Sequence, residues 1–136
     1  MRWAEQLVKL ARFEVETLQA RLAQIAERRT EAEMKLAVLT AQGEAELALA
    51  GSDPTIDWRL GSFTEALKIR KAHVQAEIDQ AAAEETGARD ALSEAFQAMK
   101  KYEQIAENAR LAAVKAADRR EGAILDEMGL RRASGR

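Results

Sequence analysis

The sequence predicts an all-α fold: an antiparallel two-helix coiled-coil hairpin with a longer, protruding C-terminal helix. Three observations carry this. Charged residues make up 32% of the 136-residue chain and aromatics only 4%, with a single proline, which is the composition of long helices or coiled coil rather than of a broad globular core. Apolar residues recur with a heptad period over a long first stretch. One cluster of helix-stopping and helix-starting residues then divides the chain in two. Apolar residues still reach 47%, too many for a disordered chain, but much of that share is alanine. Alanine buries little area and lets helices approach closely, so the expected core is a narrow seam.

The first helix is expected over about residues 3–50. Its a and d positions from residue 8 to residue 39 read Val8, Ala11, Val15, Leu18, Leu22, Ile25, Arg29, Ala32, Leu36 and Leu39, with Arg29 the one polar member, a strong 3.5-residue period. The positions between are mostly Glu, Arg, Gln and Thr, as a solvated face requires. Gly51-Ser52-Asp53-Pro54 then supplies a glycine to end one helix, a capping Ser or Asp for the next, and a proline suited to the first helical turn. The bend is therefore expected at about 51–57. Ser62 and Glu65 have capping-box spacing, which makes Gly61-Ser62 a second possible helix start and the first turns of the second helix irregular.

The second helix is expected over about 58–131, followed by a basic tail at 132–136, so that residues 1–136 form a single hairpin. Gly87 and Gly122 lie inside this helix and weaken it without ending it. Its seam reads Leu60, Phe63, Leu67, Val74, Ile78, Ala81, Glu85, Leu92, Phe96, Met99 and Tyr102, which requires a stutter near Gly87. A bend centred near residue 53 pairs Val8 with Met99, Ala11 with Phe96, Val15 with Leu92, Leu39 with Leu67 and Gly43 with Phe63. An alignment slipped by one heptad, Leu22 by Leu92 and Leu18 by Phe96, is also open, and the first is preferred. In that preferred register Arg29 faces Glu77 and Ile78. At 1.5 Å per residue the second helix outruns the first by roughly 40 Å, leaving Leu111, Val114, Ile124, Leu125 and Met128 partly uncovered; contact with a partner is the preferred reading, with fraying or pairing with a second copy the alternatives.

Charge is distributed unevenly along the chain. Residues 1–30 carry a net +2, residues 31–109 a net −7 and residues 110–136 a net +3. In a hairpin this makes the open end basic and the body acidic, either as incidental surface drift or as an open end shaped for an acidic partner.

Little in the chain points to chemistry. There is no cysteine, and His73 is the one histidine, too few for a zinc set. Glu84-Glu85 and Asp126-Glu127 are paired carboxylates on helices, without a concave setting to raise a pKa. No glycine-rich phosphate loop is present. No catalytic, metal or cofactor residue is therefore expected, and the chain reads as no enzyme. Arg131, Arg132 and Arg136 lack interleaved aromatics, so no nucleic-acid partner is expected. The charged amino terminus and the absence of an apolar run of about 20 residues point to a cytoplasmic protein without membrane insertion. Trp58 and Phe63 near the bend read either as space-filling over the loop and Gly43 or as interface anchors.

A polar bend followed by Trp58-x-x-Gly61-x-Phe63-x-x-x-Leu67, then Lys100-Lys101-Tyr102-Glu103 and Leu125-Asp126-Glu127 before a basic tail, resembles the flagellar FliJ family over essentially the full length. The resemblance implies a soluble coiled-coil component of the flagellar type III export apparatus. Such a component is similar to the central stalk of rotary ATPases and links a ring-forming export ATPase to the cytoplasmic domain of the membrane export gate. It also assists chaperone and substrate delivery, and sits in the cytoplasm, peripheral to the membrane-embedded apparatus. On this resemblance Trp58, Phe63 and Leu67 are the candidate gate-contacting residues, Phe63 and Leu67 matching a Phe-x-x-x-Leu pattern. The open end, with Arg110, Lys115, Arg119, Arg120, Leu125, Asp126 and Glu127, is the candidate ATPase-binding surface. The chain departs from the family pattern at Gly61, where a tyrosine is common, and at Thr40 and Glu44, where aromatics stand. The alternative is a generic structural adaptor or dimerisation hairpin of the same fold.

Overall fold

The computed structural model describes residues 2–51 and 57–135, with the side chains of Asp57 and Trp58 outside the description. Two helices make up nearly all of it: α1, Arg2–Ala50, and α2, Asp57–Ser134. They pack against each other as an antiparallel hairpin, and α2 is the longer, with 78 residues against 49. Ser52, Asp53 and Pro54 of the expected bend lie outside the described residues. At the end of α1 the Gly51 N–H donates to the Leu47 carbonyl at 3.0 Å. The second possible start at Gly61-Ser62 is not used, because α2 is already helical from Asp57 and runs through both residues.

Every one of the ten heptad positions read from Val8 to Leu39 is buried or half-buried, and the pattern extends back to Ala4 and on to Gly43. On α2 from Lys71 onward the inward positions are Lys71, Val74, Ile78, Ala81, Glu85, Ala88, Leu92, Ala95, Met99, Tyr102, Ala106 and Ala109, an unbroken alternation of threes and fours, preceded by half-buried Leu60, Phe63 and Leu67. The stutter expected near Gly87 is absent. It was required only by assigning Phe96 to the seam, and Phe96 is 42% exposed while its neighbour Ala95 is buried. Size misled here: the heptad takes the alanine, and Phe96 lies beside the seam with the Lys100 ammonium 5.6 Å from its ring centre.

The helices divide into two compact units, Thr17–Leu92 on one hand and Met1–Glu16 with Ser93–Arg136 on the other. In the first, Ala32, Val74 and Ile78 form a buried cluster flanked by Leu36 and Leu39. Leu67 lies over Gly43, so close that a Cβ there would meet its side chain. In the second, Ala4, Val8, Ala11 and Val15 of α1 and Ala95 and Met99 of α2 are buried. Arg12 reaches Glu103 across the helices at 3.5 Å. Many of these buried residues are alanines, each burying little more than one methyl, worth about 0.8 kcal/mol by analogy with a buried methylene. The hairpin is therefore held by many thin layers rather than by a few large contacts.

The register differs from the preferred expectation. Gly43 receives Leu67, one helical turn beyond Phe63, and Arg29 meets Glu85, one heptad beyond Ile78. The slipped alternative is the nearer of the two in this part of the chain. Two charged residues set among apolar neighbours, Arg29 on α1 and Glu85 on α2, decide it. Arg29 facing Ile78 would leave Glu85 buried opposite leucine, and placing them together satisfies both.

Candidate interaction surfaces

The polar layer of the Thr17–Leu92 unit is built from both helices. Glu85 is only 7% exposed and accepts from Arg29 Nη1 at 3.0 Å and from Arg89 Nη2 at 2.7 Å. Arg29 Nε also donates to Glu33 at 3.1 Å, and Arg28 pairs with Glu84 alongside. Hydrogen bonds that Arg29 donates to Glu85 and Glu33 hold its guanidinium above its ordinary pKa. No buried side-chain polar atom among the described residues lacks a partner. Such a layer costs stability relative to an apolar one but fixes which residues face each other.

Toward the bend, Phe63 and Leu67 are half-buried and line a groove with Gln42, Glu46, Ala66 and Arg70. Two of the three candidate gate-contacting residues, Phe63 and Leu67, thus belong to the seam and still present part of their surface. The Trp58 side chain lies outside the described residues. His73 is exposed and stands 3.5 Å from Glu77.

At the open end, Glu5, Val8 and Arg12 of α1 border a groove with Glu103, Glu107 and Arg110 of α2. Arg110 grips Glu107 with a two-pronged contact, Nε at 3.0 Å and Nη2 at 2.8 Å. That grip lowers the Glu107 pKa and raises that of Arg110. Arg110 is therefore engaged within its own helix. From Leu111 to Gly135 every residue except the half-buried Gly122 is exposed. This stretch includes Lys115, Arg119, Arg120, Leu125, Asp126 and Glu127. Arg120 donates to the Ala116 carbonyl at 3.4 Å, and Glu127 is paired with Arg131 at 3.1 Å. Leu111, Val114, Ile124, Leu125, Met128 and Leu130 form a run of exposed large apolar side chains.

Two surfaces were not legible as such in the sequence. Leu10 and Phe13 on α1, and Met34 and Val38 further along it, are exposed large apolar residues outside the seam. Met34 and Val38 border an apolar groove with Leu39 and Val74. The signal available was their position off the a and d track in the first helix.

Among the described residues no helix is long and apolar enough to cross a membrane. The arrangement consists of helix faces, grooves and a helix end with exposed basic and large apolar side chains. The family model for the flagellar FliJ protein matches residues 4–136. The chain belongs to the FliJ family. The Flagellar FliJ proteins of two Caulobacter vibrioides strains, NA1000 / CB15N and ATCC 19089 / CIP 103742 / CB 15, are each 47% identical to it over 133 residues, covering 98% of this chain and 96% of theirs. No solved structure matches it. As a FliJ-family member this chain has a role in flagellar export and biogenesis, and hence in motility.

Proposed function

We propose that this FliJ-family hairpin serves export as a stalk-like coiled coil that joins the ring-forming export ATPase to the cytoplasmic domain of the export gate. In this reading Arg110, Lys115, Arg119, Arg120, Leu125, Asp126 and Glu127 meet the ATPase, while Trp58, Phe63 and Leu67 meet the gate. The chain acts on the cytoplasmic side of the membrane-embedded apparatus without inserting, performs no chemistry itself, and assists delivery of export chaperones and their substrates.

The observation that supports it best is the exposed stretch of α2 beyond Arg110. A helix that carries Leu111, Val114, Ile124, Leu125 and Met128 into solvent with a net excess of basic side chains is suited to an apolar, acidic enclosure. Such a surface attracts its partner over a Debye length of about 8 Å at physiological ionic strength and docks through apolar contact. Reversing Arg119 and Arg120 to glutamate is expected to weaken binding to the flagellar export ATPase at least tenfold and to reduce swimming. Helicity should not change, because both side chains are exposed. Undiminished binding at low and physiological salt would remove the ATPase from this end.

A further inference from the structure

We propose that the Thr17–Leu92 unit is a two-register hairpin in which the Arg29–Glu85 pair selects one of two helix alignments a heptad apart. A heptad seam maps onto itself when one helix slides by seven residues, so apolar packing alone discriminates weakly between the alignments. Only the non-repeating features can choose. Here there are three: Arg29 on Glu85, Arg28 on Glu84, and Leu67 over Gly43.

Two of these, the Arg28–Glu84 pair and Leu67 over Gly43, have a counterpart seven residues earlier on α2, and the Arg29–Glu85 pair has none. Sliding α2 by one heptad brings Glu77 to Arg28, and both already line one groove with Ala32 and Ala81. The same slide brings Leu60, itself half-buried, toward Gly43 in place of Leu67. Arg29 then faces Ile78 and Glu85 faces Leu22, but neither charge is stranded. Arg29 keeps Glu33 at 3.1 Å and Glu85 keeps Arg89 at 2.7 Å, both partners lying four residues away on the same helix. Losing one partner of a buried ion pair is ordinarily severe because it leaves an uncompensated charge. These reserve partners remove that penalty. Within this unit, what separates the two alignments is the single cross-helix bond between Arg29 and Glu85 together with the burial of Glu85 against leucine; the exposed Arg12–Glu103 pair at 3.5 Å lies outside the unit and adds little. The pair is thus a clasp: closed in the observed register, releasable without orphaning a charge, and opening onto a displacement of about 10 Å, seven residues at 1.5 Å each.

The test uses the full chain with spin labels on cysteines placed at Glu44 and Asp90, both exposed and both within this unit, and reads their separation by electron–electron dipolar spectroscopy. The parent protein is expected to give one distance. Arg29→Leu combined with Glu85→Leu removes the selecting contact while keeping the seam apolar, and should add a second population about 10 Å longer. Arg29→Glu combined with Glu85→Arg restores a cross-helix pair but sets like charges against Glu33 and Arg89, so only the clasped register satisfies it. This variant should give the parent distance alone. A single unchanged distance in the leucine variant, or two distances in the swapped variant, overturns the proposal. Should the leucine variant lose helicity, the swapped variant decides by itself.

Discussion

Glycine at position 43 has one neighbour that decides what can replace it, because a Cβ built there would run into the end of the Leu67 side chain. The tip of a leucine can turn aside from a methyl, and alanine would gain up to about 1 kcal/mol of helix propensity over glycine. It cannot turn aside from a second isobutyl group. Gly43→Leu is therefore expected to destabilise the fold by about 1–3 kcal/mol, measured by urea unfolding followed at 222 nm. The pair Phe96 and Met99 tests the seam in the same way. Met99 is 9% exposed and Phe96 42%, so Met99→Ala should cost about 2–5 kcal/mol, while Phe96→Ala should fall well below the 3–5 kcal/mol of a buried aromatic. Equal losses at both sites would restore Phe96 to the seam and contradict the heptad described. Phe96 reads as a seam residue by its size, but in a seam rich in alanine the heptad phase decides which positions face inward, and the phase falls on Ala95.

At the scale of the helix, α1 was readable almost residue by residue, because its ten a and d positions hold nine apolar residues and all ten face inward. α2 was less so. Its seam contains Ala81, Ala88, Ala95, Ala106 and Ala109 among many outward alanines, so hydrophobicity alone does not mark its phase. The register was in fact written in the sequence at Arg29 and Glu85, each a lone charge in its stretch of seam. Matching them would have chosen the observed alignment, whereas apolar pairing left two alignments open. An ion pair within α2, near the open end of the hairpin, adds a pH-dependent element. Arg110 holds the Glu107 pKa below its ordinary value, so the bond favours the folded helix while Glu107 is ionised. That contribution is fully present above the unfolded glutamate pKa of about 4.3 and is lost as pH falls through the lowered folded value. Amide protection around Arg110 should therefore be higher in the parent than in Glu107→Gln at pH 7, with the difference vanishing below that lowered value. A difference that persists at the acid end would mean the glutamine removes something other than the ion pair.

For the molecule as a whole, fold class follows from composition, period and one bend, whereas the proposed division of labour between its ends depends on where packing stops. The structure moves that point. Val8 and Arg12 border a groove whose α2 side runs through Glu103, Ala106 and Glu107 to Arg110, so a chain cut after Tyr102 would strip α1 of its neighbours and confuse unfolding with loss of contact. A chain ending at Arg110 retains all of them, together with the Arg12–Glu103 and Glu107–Arg110 pairs. It removes only the run from Leu111, where exposure is continuous but for Gly122. This shortened protein is expected to unfold cooperatively with a midpoint within a few degrees of the full chain, because almost no buried surface is lost. Its binding to the flagellar export ATPase should fall by at least a hundredfold, since both the basic side chains and the apolar run go together. Gate binding should be unaffected, as Phe63 and Leu67 keep their places beside Gln42 and Glu46. If the shortened protein binds the ATPase as tightly as the full chain, the C-terminal stretch is not the stalk tip. The contact would then have to involve residues before Leu111, with the exposed Leu10 and Phe13 of α1 the first to substitute.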